Sequence, residues 1–202
     1  MTPSRRLVLH GACALLLAAA LPSLPAAFAA SAATDVAGVK FDDTATVHGQ
    51  PLKLNGAGLR TKVIFKVYAL GLYLPEKKTS VADILAAQGP RRIQIVSLRD
   101  LTSQDFGDAF MKGLNANTDA AERARLLPQT KTFGEMFAAI PGLKKGDVLL
   151  VDWIPGTGTV CTLNGRKIGE TVPDVAFYNA ILRIWIGNEP ADTDLKPKLL
   201  GG

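Results

Sequence analysis

Apolar and polar positions change rhythm several times along this chain, and each rhythm predicts an element. Over residues 41–54 the pattern suits a β-hairpin, with His48-Gly49-Gln50-Pro51 as its turn. Asn55-Gly56-Ala57-Gly58 reads as a flexible corner, since glycine accepts backbone angles that other residues avoid. Residues 59–74 are rich in Val, Ile, Phe, Tyr and Leu, which favours strands with a break near Gly71. Residues 91–98 alternate as a strand, with Ile93 and Ile95 on one face. Residues 147–154 and 157–163 read as a hairpin about Pro155-Gly156. Asn164-Gly165 is then a strong two-residue turn into 166–171.

Helical spacing takes over between these strands. Ser80 is placed to cap a short helix over 81–87, stopped by Gly89-Pro90. Thr102 starts a second helix, with Asp105 returning a hydrogen bond to the first turn. Its residues Phe106, Phe110 and Leu114 form one apolar stripe. Residues 119–127 are charged and helical, and Pro128 is expected to end them. Thr132 with Glu135 suggests a capping box ahead of Phe133, Met136, Phe137 and Ile140. A last helix follows Pro173 and runs through Phe177, Ile181, Ile184 and Trp185 to Gly187. Strands at both ends with helices grouped between them predict an α+β fold, an antiparallel sheet with helices packed on it.

The N-terminus has a separate logic. Arg5 and Arg6 precede an apolar run over 11–21, and Ala27-Phe28-Ala29 fits an A-x-A cleavage site. The run is shorter than the roughly 20 residues of a membrane span, which disfavours an uncleaved anchor. The arginine pair suits twin-arginine and ordinary secretory export alike. The expected division is a cleaved signal peptide over 1–29, a loose tail over 30–37, one domain over 38–188 and an extended C-terminal tail over 189–202. The implied location is periplasmic or secreted, with no stable membrane span once the leader is removed.

The formal charge of +5 falls further if Arg5 and Arg6 leave with the leader. The other basic residues are dispersed, so no nucleic-acid stripe is present. Arg91-Arg92 and Lys144-Lys145 read as solvated surface pairs. Cys161 is the one cysteine beyond the leader and lies in a strand pattern, so it reads as a small buried residue. Neither His10 nor His48 belongs to a zinc-binding spacing, and no nucleophile elbow or phosphate loop occurs. No metal, cofactor or catalytic residue is therefore assigned.

Arg60 is the charge that stands out, leading an apolar run directly after the glycines. Its guanidinium is suited to a carboxylate, through two parallel hydrogen bonds. Tyr68 has the parity to share its strand face. Together they suit an acid headgroup at the mouth of an apolar pocket. A surface arginine and a core tyrosine are the simpler reading of the same two residues.

Gly58-Leu59-Arg60, followed by Lys66-Val67-Tyr68-Ala69-Leu70-Gly71-Leu72-Tyr73-Leu74, resembles the signature of the chalcone isomerase superfamily. Leu101-Thr102-Ser103-Gln104-Asp105-Phe106 resembles the start of that family's long helix, and Phe177-Tyr178-Asn179-Ala180-Ile181-Leu182 its last one. The element order matches over most of 38–188. The resemblance implies an open-faced β-sandwich, with a sheet under a helical layer and a cleft between them, and makes Arg60 the ligand-facing arginine. It also marks departures. Tyr68 stands where true plant chalcone isomerases have a threonine, Phe106 where they have a tyrosine, Gly113 where they have an asparagine, and Ile184 where they have Ser or Thr. The Arg60–Tyr68 pair is closer to the superfamily's fatty-acid-binding branch, where an arginine and a tyrosine hold a carboxylate. On that resemblance Phe106, Phe110 and Trp185 are candidate walls for an apolar tail, although each also suits plain core packing.

Three functions remain open at this level. One is an exported, non-catalytic binder of a fatty acid or similar apolar acid. The second is an isomerase acting on a chalcone-like substrate, and the third an interaction module with a closed cleft and an unnamed protein partner.

Overall fold

The structure, a computed structural model, describes residues 33–202. The leader expected over 1–29 lies outside these residues. Within the stretch read as a loose tail, Ala33–Val36 forms strand β1, paired with β2 (Val39–Asp42) about Ala37 and Gly38. Both turn residues have positive φ, 54° and 87°, and the hairpin is anchored because Phe41, Val36 and Val39 pack on the sheet. Then come β3 (Thr44–Val47), β4 (Gln50–Lys62), β5 (Phe65–Leu74), α1 (Val81–Ala86), β6 (Arg91–Ser97) and β7 (Leu101–Thr102). The helical middle is α2 (Ser103–Ala116), α3 (Ala120–Arg125) and α4 (Leu127–Ala138). The chain closes with β8 (Gly142–Leu143), β9 (Val148–Ile154), β10 (Gly158–Leu163), β11 (Arg166–Val172), α5 (Val175–Ile186) and α6 (Leu195–Leu199).

Seven strands make one antiparallel sheet in the order β11-β10-β9-β6-β5-β4-β3. Strand alternation gives the sheet two faces. Leu70, Leu72 and Leu74 of β5 join Ile93 and Ile95 of β6 in the large core, together with α2, α4, α5 and α6. Ala69 and Tyr73 point the other way, into a smaller cluster around Phe41. This is the predicted α+β arrangement, a sheet with its helical layer on one face.

Several glycines do different work from that read in the sequence. Gly56 and Gly58 are no corner; they lie inside β4. A Cβ at Gly56 would overlap the Lys198 carbonyl, and one at Gly58 would sit 2.7 Å from Leu195 Cδ1. They are small because α6 lies directly on the strand. That contact also corrects the extended C-terminal tail: residues 195–199 are helical, with Leu195 and Leu199 buried. Gly71 likewise makes no break, because it lies under the Phe41 ring, where a Cβ would stand 2.6 Å from Phe41 Cδ1. The chain reverses instead at Val63-Ile64, between Lys62 and its register partner Phe65.

Among the helices, the Thr102–Asp105 capping box has both halves present, and Ser80 caps α1 as expected. Pro128 does not only close α3; it sits in the first turn of α4, where its missing N–H costs nothing. Thr132 is consequently inside α4 and donates back to the Pro128 carbonyl instead of capping. The Arg91-Arg92 pair is not solvated surface. Arg92 grips Asp152 through Nε and Nη2, both at 2.7 Å. Arg91 is buried, donating from Nη1 to the Ile84 carbonyl and to Asn179 Oδ1, with its guanidinium 5.0 Å from the Tyr178 ring centre. It satisfies a C-terminal carbonyl of α1, a helix with no basic residue in its own last turn. Cys161 is buried, and that burial pushes its thiol pKa up.

Candidate functional site

The reversal at Val63-Ile64 makes Arg60 and Tyr68 register partners on β4 and β5. They share the helix-side face as expected, but from neighbouring strands instead of one. A register shift follows between Arg60 and Thr61, before the last pairs Thr61–Lys66 and Lys62–Phe65. Trp185, on α5, closes the group from above, donating its Nε1–H to the Tyr68 hydroxyl at 2.7 Å. Sequence reading gave Trp185 only an apolar wall. Its indole N–H instead fixes the phenol.

Burial raises the Tyr68 pKa, opposed by the Trp185 hydrogen bond and the charge of Arg60. The phenol is therefore a neutral O–H at physiological pH, with its own proton to donate. The Arg60 guanidinium lies beside it. A positive fork next to a neutral donor is an arrangement complementary to a carboxylate.

Asp192 completes the polar group, and nothing in the sequence marked it, because it lies in the stretch read as extended tail. Its Oδ2 accepts from the Thr61 N–H at 2.9 Å and from Arg60 Nη1 at 3.5 Å. Its Oδ1 accepts from the N–H groups of Asp194 and Leu195, at 2.9 and 3.1 Å, at the start of α6. Burial works to raise its pKa. The Thr61, Leu195 and Asp194 N–H groups and Arg60 outweigh this and hold the carboxyl below the usual range.

Arg60 is only partly used. Nη1 donates to the Thr61 carbonyl and to Asp192. Arg60 Nε and Nη2 hold no carboxylate among the described residues, and the guanidinium also lies within hydrogen-bonding influence of the Tyr68 hydroxyl. The Nε–Nη2 edge is the one with which Arg92 holds Asp152. The bidentate edge of Arg60 is thus available to a further carboxylate, beside the Tyr68 hydroxyl.

Phe106 and Phe110 stand farther along the helical layer. Phe106 stacks on Phe137 at 4.2 Å between ring centres, and Phe110 on Phe133 at 4.7 Å. With Gly107 and Gly134 they line a groove of about 200 Å³ between α2 and α4. Arg60, Tyr68 and Trp185 do not line this groove. The two groups meet through the core: Phe110 and Trp185 belong to one apolar cluster, against which Tyr68 and Phe106 both pack. The sequence places Phe133 and Phe137 on one helix face and marks neither as a site residue.

Gly113 and Ile184 pack against each other, and a Cβ at Gly113 would stand 2.6 Å from Ile184 Cγ2. These are the places where resemblance to plant chalcone isomerases would put an amide and a hydroxyl. Here they form a tight apolar seam between α2 and α5.

A chalcone isomerase-like family model matches residues 33–201. The chain belongs to the chalcone isomerase-like family. The match takes in β1 and α6, so both ends of the described chain are part of the family's domain. Among solved structures, the chain is similar to the Arabidopsis thaliana fatty-acid binding protein AtFAP1, with a TM-score of 0.63 and 18% identity. That likeness covers 81% of this chain and 92% of the plant protein, and at such identity it speaks for the fold. No curated protein sequence matches the chain. No helix among the described residues is long and apolar enough to cross a membrane.

Proposed function

We propose that this chalcone isomerase-like protein is exported and binds a fatty acid or similar apolar carboxylate without transforming it. The carrying observation is the free Nε–Nη2 edge of Arg60 beside the neutral Tyr68 hydroxyl. In this reading the carboxylate takes two hydrogen bonds from Arg60 and one from Tyr68. The tail lies against the apolar cluster of Trp185, Phe106 and Phe110, with the aromatic groove between α2 and α4 as additional space. A charge-assisted headgroup bond contributes about 1.5–3 kcal/mol and each buried methylene about 0.8 kcal/mol. Chain length then sets most of the affinity, and Arg60 sets orientation.

The fold shared with a fatty-acid binding protein supports the ligand class. The Gly113–Ile184 seam and the Phe106–Phe137 stack support the non-catalytic part, because an isomerase needs positioned donors for the developing enolate. Export rests on the sequence of residues 1–29 and places the protein in the periplasm or outside the cell.

Native mass spectrometry of protein recovered from its own host, with solvent extraction of what it carries, tests the ligand class. A fatty acid at one-to-one stoichiometry supports the proposal. A protein that arrives empty and takes up no added fatty acid contradicts it.

A further inference from the structure

The β4–β5 hairpin that carries Arg60 and Tyr68 ends in a feature the ligand site does not explain. Five consecutive residues, Lys62-Val63-Ile64-Phe65-Lys66, are exposed. Val63 is 88% exposed and Ile64 81%, the two largest values among the exposed large hydrophobics of the described residues, and Phe65 beside them is 55% exposed. Isolated exposed apolar residues are ordinary, but three in succession at a projecting tip are not.

The turn itself is made from the wrong residues for a turn. A two-residue hairpin loop favours Asn-Gly, which the chain uses at Asn164-Gly165. Here Val and Ile take those places, and Val63 has φ 58°, an outlier for a β-branched side chain. Local stability is given up to keep apolar side chains at the apex, which points to a role for them outside the fold.

The surroundings say what kind of surface they meet. Lys62 and Lys66 flank the apex and have no ion-pair partner among the described residues. Arg99 lies over the Phe65 ring at 5.1 Å. The nearby acids are already engaged: Asp105 by the Thr102 cap, and Asp100 by Lys144 and the Lys145 N–H. An apolar apex above a collar of cations reproduces the layering of acyl chains beneath anionic headgroups. A convex turn also offers no pocket to a shaped protein ligand, whereas a fluid apolar layer closes around it.

We propose that the β4–β5 tip is a membrane-docking finger: Val63, Ile64 and Phe65 enter the acyl boundary of an anionic phospholipid bilayer, and Lys62, Lys66 and Arg99 hold its headgroups. The finger sits three residues beyond Arg60, so docking brings the proposed headgroup site to the surface in which apolar acids reside. Binding to the bilayer requires no fatty acid and stands apart from the ligand reading.

The test is flotation of the purified protein with vesicles of phosphatidylcholine, alone or mixed with phosphatidylglycerol. The informative variant is Val63→Gly with Ile64→Asn, because only the first central residue has positive φ, the place where such a turn favours glycine, and the variant keeps or gains stability on thermal unfolding. The expected result is binding to the phosphatidylglycerol vesicles that weakens with salt, falls about fivefold for Lys62→Gln or Lys66→Gln, and is lost in the turn variant. Arg60→Ala should float like the parent, while the turn variant should keep its affinity for a soluble fatty acid. Absence of flotation with both vesicles, or flotation unchanged in the turn variant, overturns the finger without touching the ligand proposal.

Discussion

Asp192 touches Arg60 through Nη1 alone, at 3.5 Å, while its other bonds go to backbone N–H groups of β4 and α6. It therefore has two separable roles, stitching α6 to the sheet and placing a negative charge beside the proposed headgroup site. Asp192→Asn keeps an oxygen acceptor but removes the charge, and should lower stability by about 1 kcal/mol, the difference between charge-assisted and neutral hydrogen bonds. The same variant should tighten fatty-acid binding about fivefold, since a like charge next to the ligand is gone. Denaturant titration and calorimetry on one preparation check both signs.

The pH dependence of that stitch follows from the depressed Asp192 pKa. A carboxyl held lower in the folded state than in the unfolded one stabilises the fold at every pH above its unfolded value of about 3.9. The contribution disappears as pH falls through the lower folded value. The stability gap between parent and Asp192→Asn should thus be constant from neutral pH to about pH 5 and close on further acidification. Thermal unfolding of the pair between these limits measures it.

Tyr68→Phe removes the acceptor of the Trp185 Nε1–H, which is partly buried in that pair. An indole N–H left without a partner costs about 1–3 kcal/mol. A matching loss of fatty-acid affinity is expected, because the phenol also donates to the proposed carboxylate. Trp185→Phe should cost stability with a smaller effect on affinity, since the phenol remains. Paired unfolding and binding curves separate the two.

The seam between Gly113 and Ile184 leaves no room for a side chain. Gly113→Ala should cost about 1–3 kcal/mol by overpacking. In an Ile184→Ala background the same change should cost less, with a coupling of about 0.5–3 kcal/mol in a double-mutant cycle. Leu199→Ala, under α6, should cost about 2–5 kcal/mol, which checks that residues 195–199 are part of the folded domain.

What the sequence made legible was whatever periodicity and local chemistry determine. The Thr102–Asp105 box, the Asn164-Gly165 turn and the Phe106-Phe110-Leu114 stripe are local signals, and the structure realises each of them. What it hid depends on neighbours distant in sequence. Gly56, Gly58 and Gly71 look like hinges along the chain, but are spaces for Lys198, Leu195 and Phe41. The Val63-Ile64 reversal was invisible because β-branched residues signal strand. Arg91 looked solvated because its acceptors are carbonyls, which a sequence does not display as partners. Of the site, Arg60, Tyr68 and Trp185 come together, while Phe106 and Phe110 stand in the adjacent groove. Asp192 escaped notice because only the folding of α6 onto β4 brings it to Arg60.

The most direct test of the central proposal is calorimetric titration of a medium-chain fatty acid into the parent protein and into Arg60→Ala, with thermal unfolding confirming that both are folded. Loss of a charge-assisted headgroup bond should weaken binding about 10- to 150-fold in the variant, and the corresponding fatty alcohol should bind both proteins equally weakly. Equal affinity of parent and Arg60→Ala for the acid would contradict a headgroup site at Arg60.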